Sequence, residues 1–283
     1  MEWRDAVRKA AGAAGSADIH AVAHGQWTDA WQLHDGTRRR FVKTAHARYG
    51  PLLDAEAQGL AALRATGAVR VPEVIAAGDG WLLLEWLDLR PLDGRAAGRL
   101  GAALAALHLA SAGERHGWAH DNFIGGTPQR NGWRARWVDF WRDCRLVPQL
   151  ELAVRNGHDA LQRDGTRLLS GLDGLLGGHQ PKPALLHGDL WSGNAGALPD
   201  GTPVIFDPAV YIGDREADVA MTALFGGFGH EFDAAYRTTW VIDEGFEIRR
   251  DLYNLYHLLN HLNLFGRAYL GRCRDILRRL TSR

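Results

Sequence analysis

Apolar and polar positions along the 283 residues follow two different periods, and the change between them divides the chain. Residues 2–14 set Trp3, Val7 and Ala10 at helical spacing, which predicts a short amphipathic helix. From Ile19 to about Leu87 the pattern is one of strands and tight turns. Trp31-Gln32-Leu33 runs into the turn signal Asp35-Gly36 and then into Arg39-Arg40-Phe41-Val42-Lys43. Asp54 to Thr66 reads as a helix with Ala57, Leu60 and Ala61 inward and Gly67 as its stop. Two further strands, Pro72–Ala77 and Trp81–Leu87, flank Gly78-Asp79-Gly80. Past Asp88-Leu89-Arg90-Pro91 the period turns helical, with Leu100, Leu104 and Leu107 in Arg95–Ser111. Trp133, Trp137 and Trp141 form a stripe in Asn131–Leu152, read as core packing, and Leu252, Leu255, Leu259, Leu262 and Phe265 form another in Glu247–Leu270. Between these helices, Leu185–Ala209 is strand-like and crowded with polar residues. The prediction is an α+β, two-lobed chain: residues 1–87 a small antiparallel β-sheet with one helix, residues 88–283 a larger, mostly helical lobe.

Composition narrows the function classes. The chain has 33 basic and 33 acidic residues, so its formal net charge is zero. That balance argues against a nucleic-acid or membrane-surface binder, which would show a basic excess. The C-terminal arginines 272, 274, 278, 279 and 283 read as a solvated helix face. Only two cysteines are present, which fits a reducing cytoplasm and excludes a disulfide framework. No apolar stretch approaches the roughly 18 residues of a membrane span, and the N-terminal segment does not read as a signal peptide. The sequence carries no signal of oligomeric state. Lysine is scarce: Lys9, Lys43 and Lys182 are the only three, so a lysine in a meaningful place stands out.

The chemistry concentrates in Leu185-Leu186-His187-Gly188-Asp189-Leu190-Trp191-Ser192-Gly193-Asn194, which fits the kinase catalytic-loop pattern H-x-D-x-x-x-x-N. A carboxylate at Asp189 can orient a substrate hydroxyl and accept its proton. The amide of Asn194 supplies a neutral oxygen to Mg²⁺, a hard cation. Thirteen residues later, strand-like Val204-Ile205-Phe206 delivers Asp207 as a second metal ligand. Upstream, Lys43 closes a predicted strand and Glu56 lies on the following helix, the arrangement by which kinases anchor the phosphates of ATP. Glu85-Trp86-Leu87 ends the last strand of the small lobe, where backbone groups of Glu85 and Leu87 would meet an adenine.

Two longer runs are more specific than the general kinase pattern. His187–Asn194 and Phe206-Asp207-Pro208-Ala209-Val210-Tyr211-Ile212-Gly213-Asp214-Arg215-Glu216-Ala217-Asp218 resemble the fructosamine kinase (ketosamine-3-kinase) family. Asp121-Asn122-Phe123-Ile124-Gly125, Thr127-Pro128-Gln129 and Asn131-Gly132-Trp133 match it too, as do Trp137 and Phe140-Trp141. The resemblance implies a protein-kinase-like fold related to aminoglycoside and choline phosphotransferases. It implies ATP- and Mg²⁺-dependent phosphorylation of the sugar 3-hydroxyl of ketosamines, whether small molecules or glycated proteins, as a deglycation activity. By position, Asp189 is then the catalytic base, Asn194 and Asp207 the metal ligands, and Lys43 with Glu56 the phosphate anchor. Trp191 offers an apolar face to the sugar-amine. Asp214, Arg215, Glu216 and Asn122 are candidate substrate contacts, with an ion-pair network that fixes the loop as the alternative. Asp218 helps to shape that loop.

Two departures matter. His187-Gly188-Asp189 lacks the arginine of H-R-D, so control by activation-loop phosphorylation is not expected. The stretch His24-Gly25-Gln26-Trp27-Thr28-Asp29-Ala30 has one glycine where protein kinases have three. A Walker A reading of Gly36–Thr44 fails because Val42 stands where glycine is needed. His257 and His261 share a helix face without the glutamate of a zinc motif and read as packing. Gly226-Gly227-Phe228-Gly229 reads as a loop. Two other functions compete: a kinase for another hydroxylated amine such as an aminoglycoside, and a pseudokinase binding module, which would be expected to lack one of Lys43, Asp189, Asn194 or Asp207.

Overall fold

A computed structural model describes residues 2–13, 17–111, 113–176 and 178–282. Five strands, β1 (Asp18–His24), β2 (Thr28–His34), β3 (Arg39–Ala45), β4 (Val74–Gly78) and β5 (Trp81–Glu85), form one antiparallel sheet in the order β1-β2-β3-β5-β4. Alternation along β5 serves two cores at once. Leu82 and Leu84 join Leu53, Leu60 and Leu63 of helix α2 (Gly50–Ala65), whereas Trp81 and Leu83 join Val7 of helix α1 (Glu2–Ala10). Burial from both sides explains why β5 is apolar without interruption. The β2–β3 turn falls at Asp35-Gly36, where Asp35 Oδ1 accepts from the amides of Thr37 at 3.1 Å and Arg38 at 2.7 Å. Register then sets Lys43 between Ala30 and Leu82, in the middle of the sheet.

α2 begins at Gly50 rather than Asp54, because Pro51 suits the first helical turn. Its inward face is Leu53, Glu56, Leu60 and Leu63; Ala61, expected inside, is exposed. The predicted N-terminal helix stops at Ala10, and Ala14 lies outside the described residues.

The helical part starts with α3 (Gly94–Ala110), whose first turn is capped by Asp93 Oδ1 accepting from the Ala96 amide at 2.8 Å. It continues through the hairpin β6 (Asn122–Ile124) and β7 (Thr127–Gln129) to α4 (Trp137–Trp141), α5 (Val147–Arg155) and α6 (Gln162–Leu176). Next come β8 (Ala184–Leu186), the hairpin β9 (Ala195–Ala197) and β10 (Pro203–Ile205), and β11 (Tyr211–Gly213), which pairs with β8. Helices α7 (Glu216–Leu224), α8 (His230–Thr239), α9 (Phe246–Phe265) and α10 (Leu270–Thr281) complete the chain. The architecture is mixed α+β, an antiparallel sheet joined to a larger helical part.

Two helices differ from expectation. The helix predicted over Asn131–Leu152 starts only at Trp137, and Trp133 lies before it, 39% exposed, with the Arg115 guanidinium 5.4 Å from its ring. The tryptophan stripe therefore reduces to the buried pair Trp137 and Trp141. After α4 the helix widens to a π-turn at Arg142–Leu146, which carries Arg145 into the core, 4.0 Å from the Tyr211 ring. The helix expected to reach Leu270 stops at Phe265, because Gly266 takes φ 85, and Phe265 is left 49% exposed. Arg272, Arg274, Arg278 and Arg279 form an exposed face of α10, and Arg283 lies outside the described residues. No helix among the described residues is long and apolar enough to cross a membrane.

Candidate active site

The segment between β8 and β9 is anchored before it does anything chemical. His187 is fully buried; its Nδ1 accepts from the Asp189 amide at 3.2 Å, which leaves Nε2–H to donate to the Phe206 carbonyl at 3.0 Å. Burial holds this imidazole below its ordinary range, against the pull of Asp218 and the Phe206 carbonyl, so the ring is neutral. Asp218, in the first turn of α7, accepts from the amides of His187 at 2.7 Å and Gly188 at 2.8 Å. One histidine and one carboxylate thus tie the loop both to the Phe206-Asp207 segment and to α7.

The loop so held presents Asp189 and Asn194 together. Asn194 Nδ2 donates to the Asp189 carbonyl at 2.9 Å and to its Oδ2 at 3.3 Å. Burial first, and then the charge of Asp207, raise the Asp189 carboxyl to about 7, with Asn194 opposing. Asp207 enters from the end of β10 with φ 55, the only non-glycine residue in the left-handed region among the described residues. Aspartate tolerates that conformation better than most side chains.

Lys43 closes the site from the sheet. Its ammonium donates to Glu56 Oε1 at 2.7 Å, to Glu56 Oε2 at 2.8 Å and to Asp207 Oδ1 at 2.6 Å. Burial opposes its charge, but Asp207 and Glu56 outweigh that cost and hold the ammonium above its ordinary range. Burial pushes the Glu56 carboxyl up; Lys43 opposes and Asp207 adds to the rise. Lys43, Glu56, Asp189, Trp191, Asn194 and Asp207 all line one cavity of about 250 Å³ between sheet and helices. The oxygen donors fit a hard divalent cation: among the described residues Asn194 Oδ1 accepts no hydrogen bond, and the Asp207 side chain is 45% exposed.

Other expected residues lie elsewhere. Asp214, Arg215 and Glu216, for which the sequence left substrate contact and a loop-fixing ion-pair network open, do not line the cavity. Asp214 accepts from Tyr253 Oη at 2.6 Å and lies 2.6 Å from His179 Nε2; Glu216 takes two bonds from Arg249, at 2.6 and 3.0 Å. Arg215 lies against Trp240 and donates to the Val241 carbonyl at 3.2 Å. These three hold the loop rather than face the cavity, because each is already committed to neighbours on other elements. Asn122 is on the cavity lining, with one N–H and the oxygen of its amide engaged: Nδ2 donates to the Val210 carbonyl, and Oδ1 accepts from Gln129 and Asn131, each at 2.8 Å. Glu85 pairs with Arg70 at 2.5 Å, and neither it nor Leu87 is part of this cavity wall.

Trp27, from the β1–β2 turn, and Thr28, the first residue of β2, bring the glycine-poor stretch 24–30 to the cavity; the part of the wall that was not anticipated is Asn260, His261, Leu264 and Phe265 from the end of α9. His257, read as packing, is buried with Nδ1 3.9 Å from Asp189 Oδ1, and burial lowers its imidazole to about 3. The only available signals were the polar and aromatic residues interrupting the leucine stripe of α9.

The family model described as fructosamine kinase matches residues 2–283. A probable ketoamine kinase of Synechocystis sp. is 44% identical over 262 residues, covering 91% of this chain and 88% of that protein. A crystal structure from Thermobifida fusca, of a candidate fructosamine-3-kinase, superposes with a TM-score of 0.87 at 34% identity, covering 98% of each chain. An aminoglycoside phosphotransferase solved with streptomycin and ATP shares the fold alone, with a TM-score of 0.67 at 12% identity over 98% of this chain and 95% of that one.

Proposed function

Because the chain belongs to the fructosamine kinase family, we propose that it transfers the γ-phosphoryl group of ATP to the 3-hydroxyl of ketosamines, free or carried on glycated proteins. The observation that carries this reading is the meeting of Lys43, Glu56, Asp189, Asn194 and Asp207 around one cavity. A pseudokinase would be expected to have lost at least one of these residues.

Asp189 is the base. It holds the sugar hydroxyl and takes its proton as the oxygen forms a bond to the γ-phosphorus; the bond from that phosphorus to the β–γ bridging oxygen breaks, and ADP leaves. A carboxyl raised to about 7 suits a proton acceptor near neutral pH. Lys43, oriented by Glu56, anchors the α- and β-phosphates, and Asn194 with Asp207 hold Mg²⁺. A cation held there would supply positive charge against the charge that develops on the phosphates. Trp191 gives the sugar-amine an apolar face, and the carboxylates at the cavity favour a cationic amine nearby. Asp214, Arg215 and Glu216 act by positioning the loop, and Asn122 by bracing the Ala209-Val210 segment. Backbone groups at Glu85 and Leu87 receive the adenine.

The lobe division falls at residues 87 and 88, which the end of β5 at Glu85 and the start of α3 at Gly94 support. Two buried free cysteines, Cys144 and Cys273, support a reducing cytoplasmic setting. The deciding experiment offers ATP and Mg²⁺ with ribuloselysine, fructoselysine, kanamycin and choline. Phosphate is expected on a ketosamine and on neither of the others. Transfer to kanamycin but to no ketosamine overturns the reading in favour of an aminoglycoside kinase.

A further inference from the structure

The β1–β2 loop is poor in glycine, and the structure shows what it carries instead. The Gly25 amide donates to the Thr28 carbonyl at 3.0 Å, closing a tight turn with Trp27 inside it. The Trp27 carbonyl accepts from the His46 amide at 2.9 Å, so its backbone belongs to the sheet. Its indole does not. It crosses to the helical part and rests on the β6–β7 turn, where a Cβ on Gly126 would meet Cε2 at 2.6 Å and Cδ1 at 2.7 Å, with Nε1 nearer still. A Cβ on Gly125 would lie 3.2 Å from the indole and from Leu264, and the indole ring is 6.1 Å from that of Phe265. The two adjacent glycines make a flat seat, and any side chain at Gly126 would displace the indole.

From Phe265 a run of ring contacts continues around the cavity. Phe265 and His261 are 5.3 Å apart, His261 and Phe225 4.7 Å, Phe225 and Trp191 5.8 Å. Trp27, Trp191, His261 and Phe265 line the same cavity as Asp189 and Asp207. Carboxylates therefore gather where a hydroxyl would react, and an aromatic arc bounds the remaining space. An acceptor whose hydroxyl reaches Asp189 has its amine substituent several bonds away, outside the carboxylates and among the rings. The Trp27 indole itself adds a single N–H donor and two broad apolar faces. It is a good surface for an ammonium or an alkyl chain.

We propose that Trp27, seated on Gly125-Gly126 and backed by Phe265, forms the subsite for the amine substituent of the acceptor and sets the preference among ketosamines. The proposal rests on the ketosamine kinase reading and names the residues that select within that class. A Trp27 that grips the substituent acts on acceptors in proportion to the length of what it grips.

The test compares fructose adducts of methylamine and n-butylamine with the full chain, ATP and Mg²⁺. Trp27→Ala is expected to lower kcat/KM at least tenfold more for the butylamine adduct than for the methylamine adduct, mainly through KM. Trp27→Phe should keep most of the wild-type preference. Gly126→Val, which unseats the indole without altering it, should reproduce the Trp27→Ala pattern. Equal losses on both adducts, or a change confined to the KM for ATP, would overturn the proposal and assign Trp27 to the nucleotide. Should the wild-type chain phosphorylate neither these adducts nor the ribulose adducts of the same two amines, the ketosamine reading falls and takes the subsite with it, a result separable from equal losses in the variants.

Discussion

Asp189 carries the proton in the proposed reaction, so its replacement is the sharpest residue-scale test. Asp189→Asn preserves size and the contact with Asn194 but removes the proton acceptor. Turnover should fall by about 10²–10⁴-fold, the usual contribution of a positioned general base, while ATP binding measured by calorimetry is retained. Near-normal turnover would remove Asp189 from that role. Residues of this kind were legible in sequence because their spacing is the signal: Asp189, Asn194 and Asp207 stand at fixed offsets on one short stretch, and Lys43 is rare enough to notice. His261 and Phe265 were not legible as cavity residues. They meet Asp189 only through folding, and an aromatic residue on an amphipathic helix looks the same in sequence whether it faces core or cavity.

At the scale of elements, the packing of α7 against α9 turns on one buried ion pair. Arg249 on α9 bonds both oxygens of Glu216 at the start of α7, and their side chains are 8% and 2% exposed. Removing one partner strands a buried charge, so Arg249→Ala is expected to cost roughly 3–5 kcal/mol in urea unfolding. Arg249→Met with Glu216→Leu should recover much of that loss, because neither side chain then needs a partner. A single-variant cost below about 1 kcal/mol, the range of exposed pairs, would contradict this account. Element prediction succeeded where one period rules: β2, β3, β5 and α3 match their expected spans to within a few residues. It failed where tertiary contacts override the pattern. Trp133 keeps i, i+4 spacing with Trp137 but precedes the helix, and no local feature announced the π-turn that carries Arg145 inward. Helices α6 and α8 were missed: α8 buries only Phe232 and Tyr236, whereas Leu168, Leu172 and Leu176 of α6 do keep helical spacing.

Over the whole molecule, the zero net charge conceals a set of buried carboxylates whose ionisation the fold requires. Asp214 and Asp218 are both buried, which alone would raise them. For Asp214 the bonds from His179 and Tyr253 outweigh burial; for Asp218 the bonds from His108 and the Gly188 amide do so. Both therefore lie below the ordinary 3.8. Groups depressed in this way add stability that is complete above their unfolded value and is lost as pH falls through the folded one. The urea midpoint should accordingly fall steeply below 3.8. Asp218→Asn should flatten that fall while lowering stability at neutral pH; an unchanged acid slope would show that Asp218 is not among the groups responsible.

The three-way contact at Lys43 has a consequence for how ligands arrive. An ammonium has three N–H donors, and here two go to Glu56 and one to Asp207. In the role proposed for it, Lys43 can therefore take a phosphate oxygen only by giving up a partner. Nucleotide capture becomes an exchange rather than an addition, and the natural leaving partner is the half-exposed Asp207. Release frees that carboxylate at the moment a divalent cation needs a ligand. In that role metal and nucleotide would be linked, each raising the affinity for the other by the same factor. The same contact that ties sheet to helices before ligands arrive would then make their arrival cooperative.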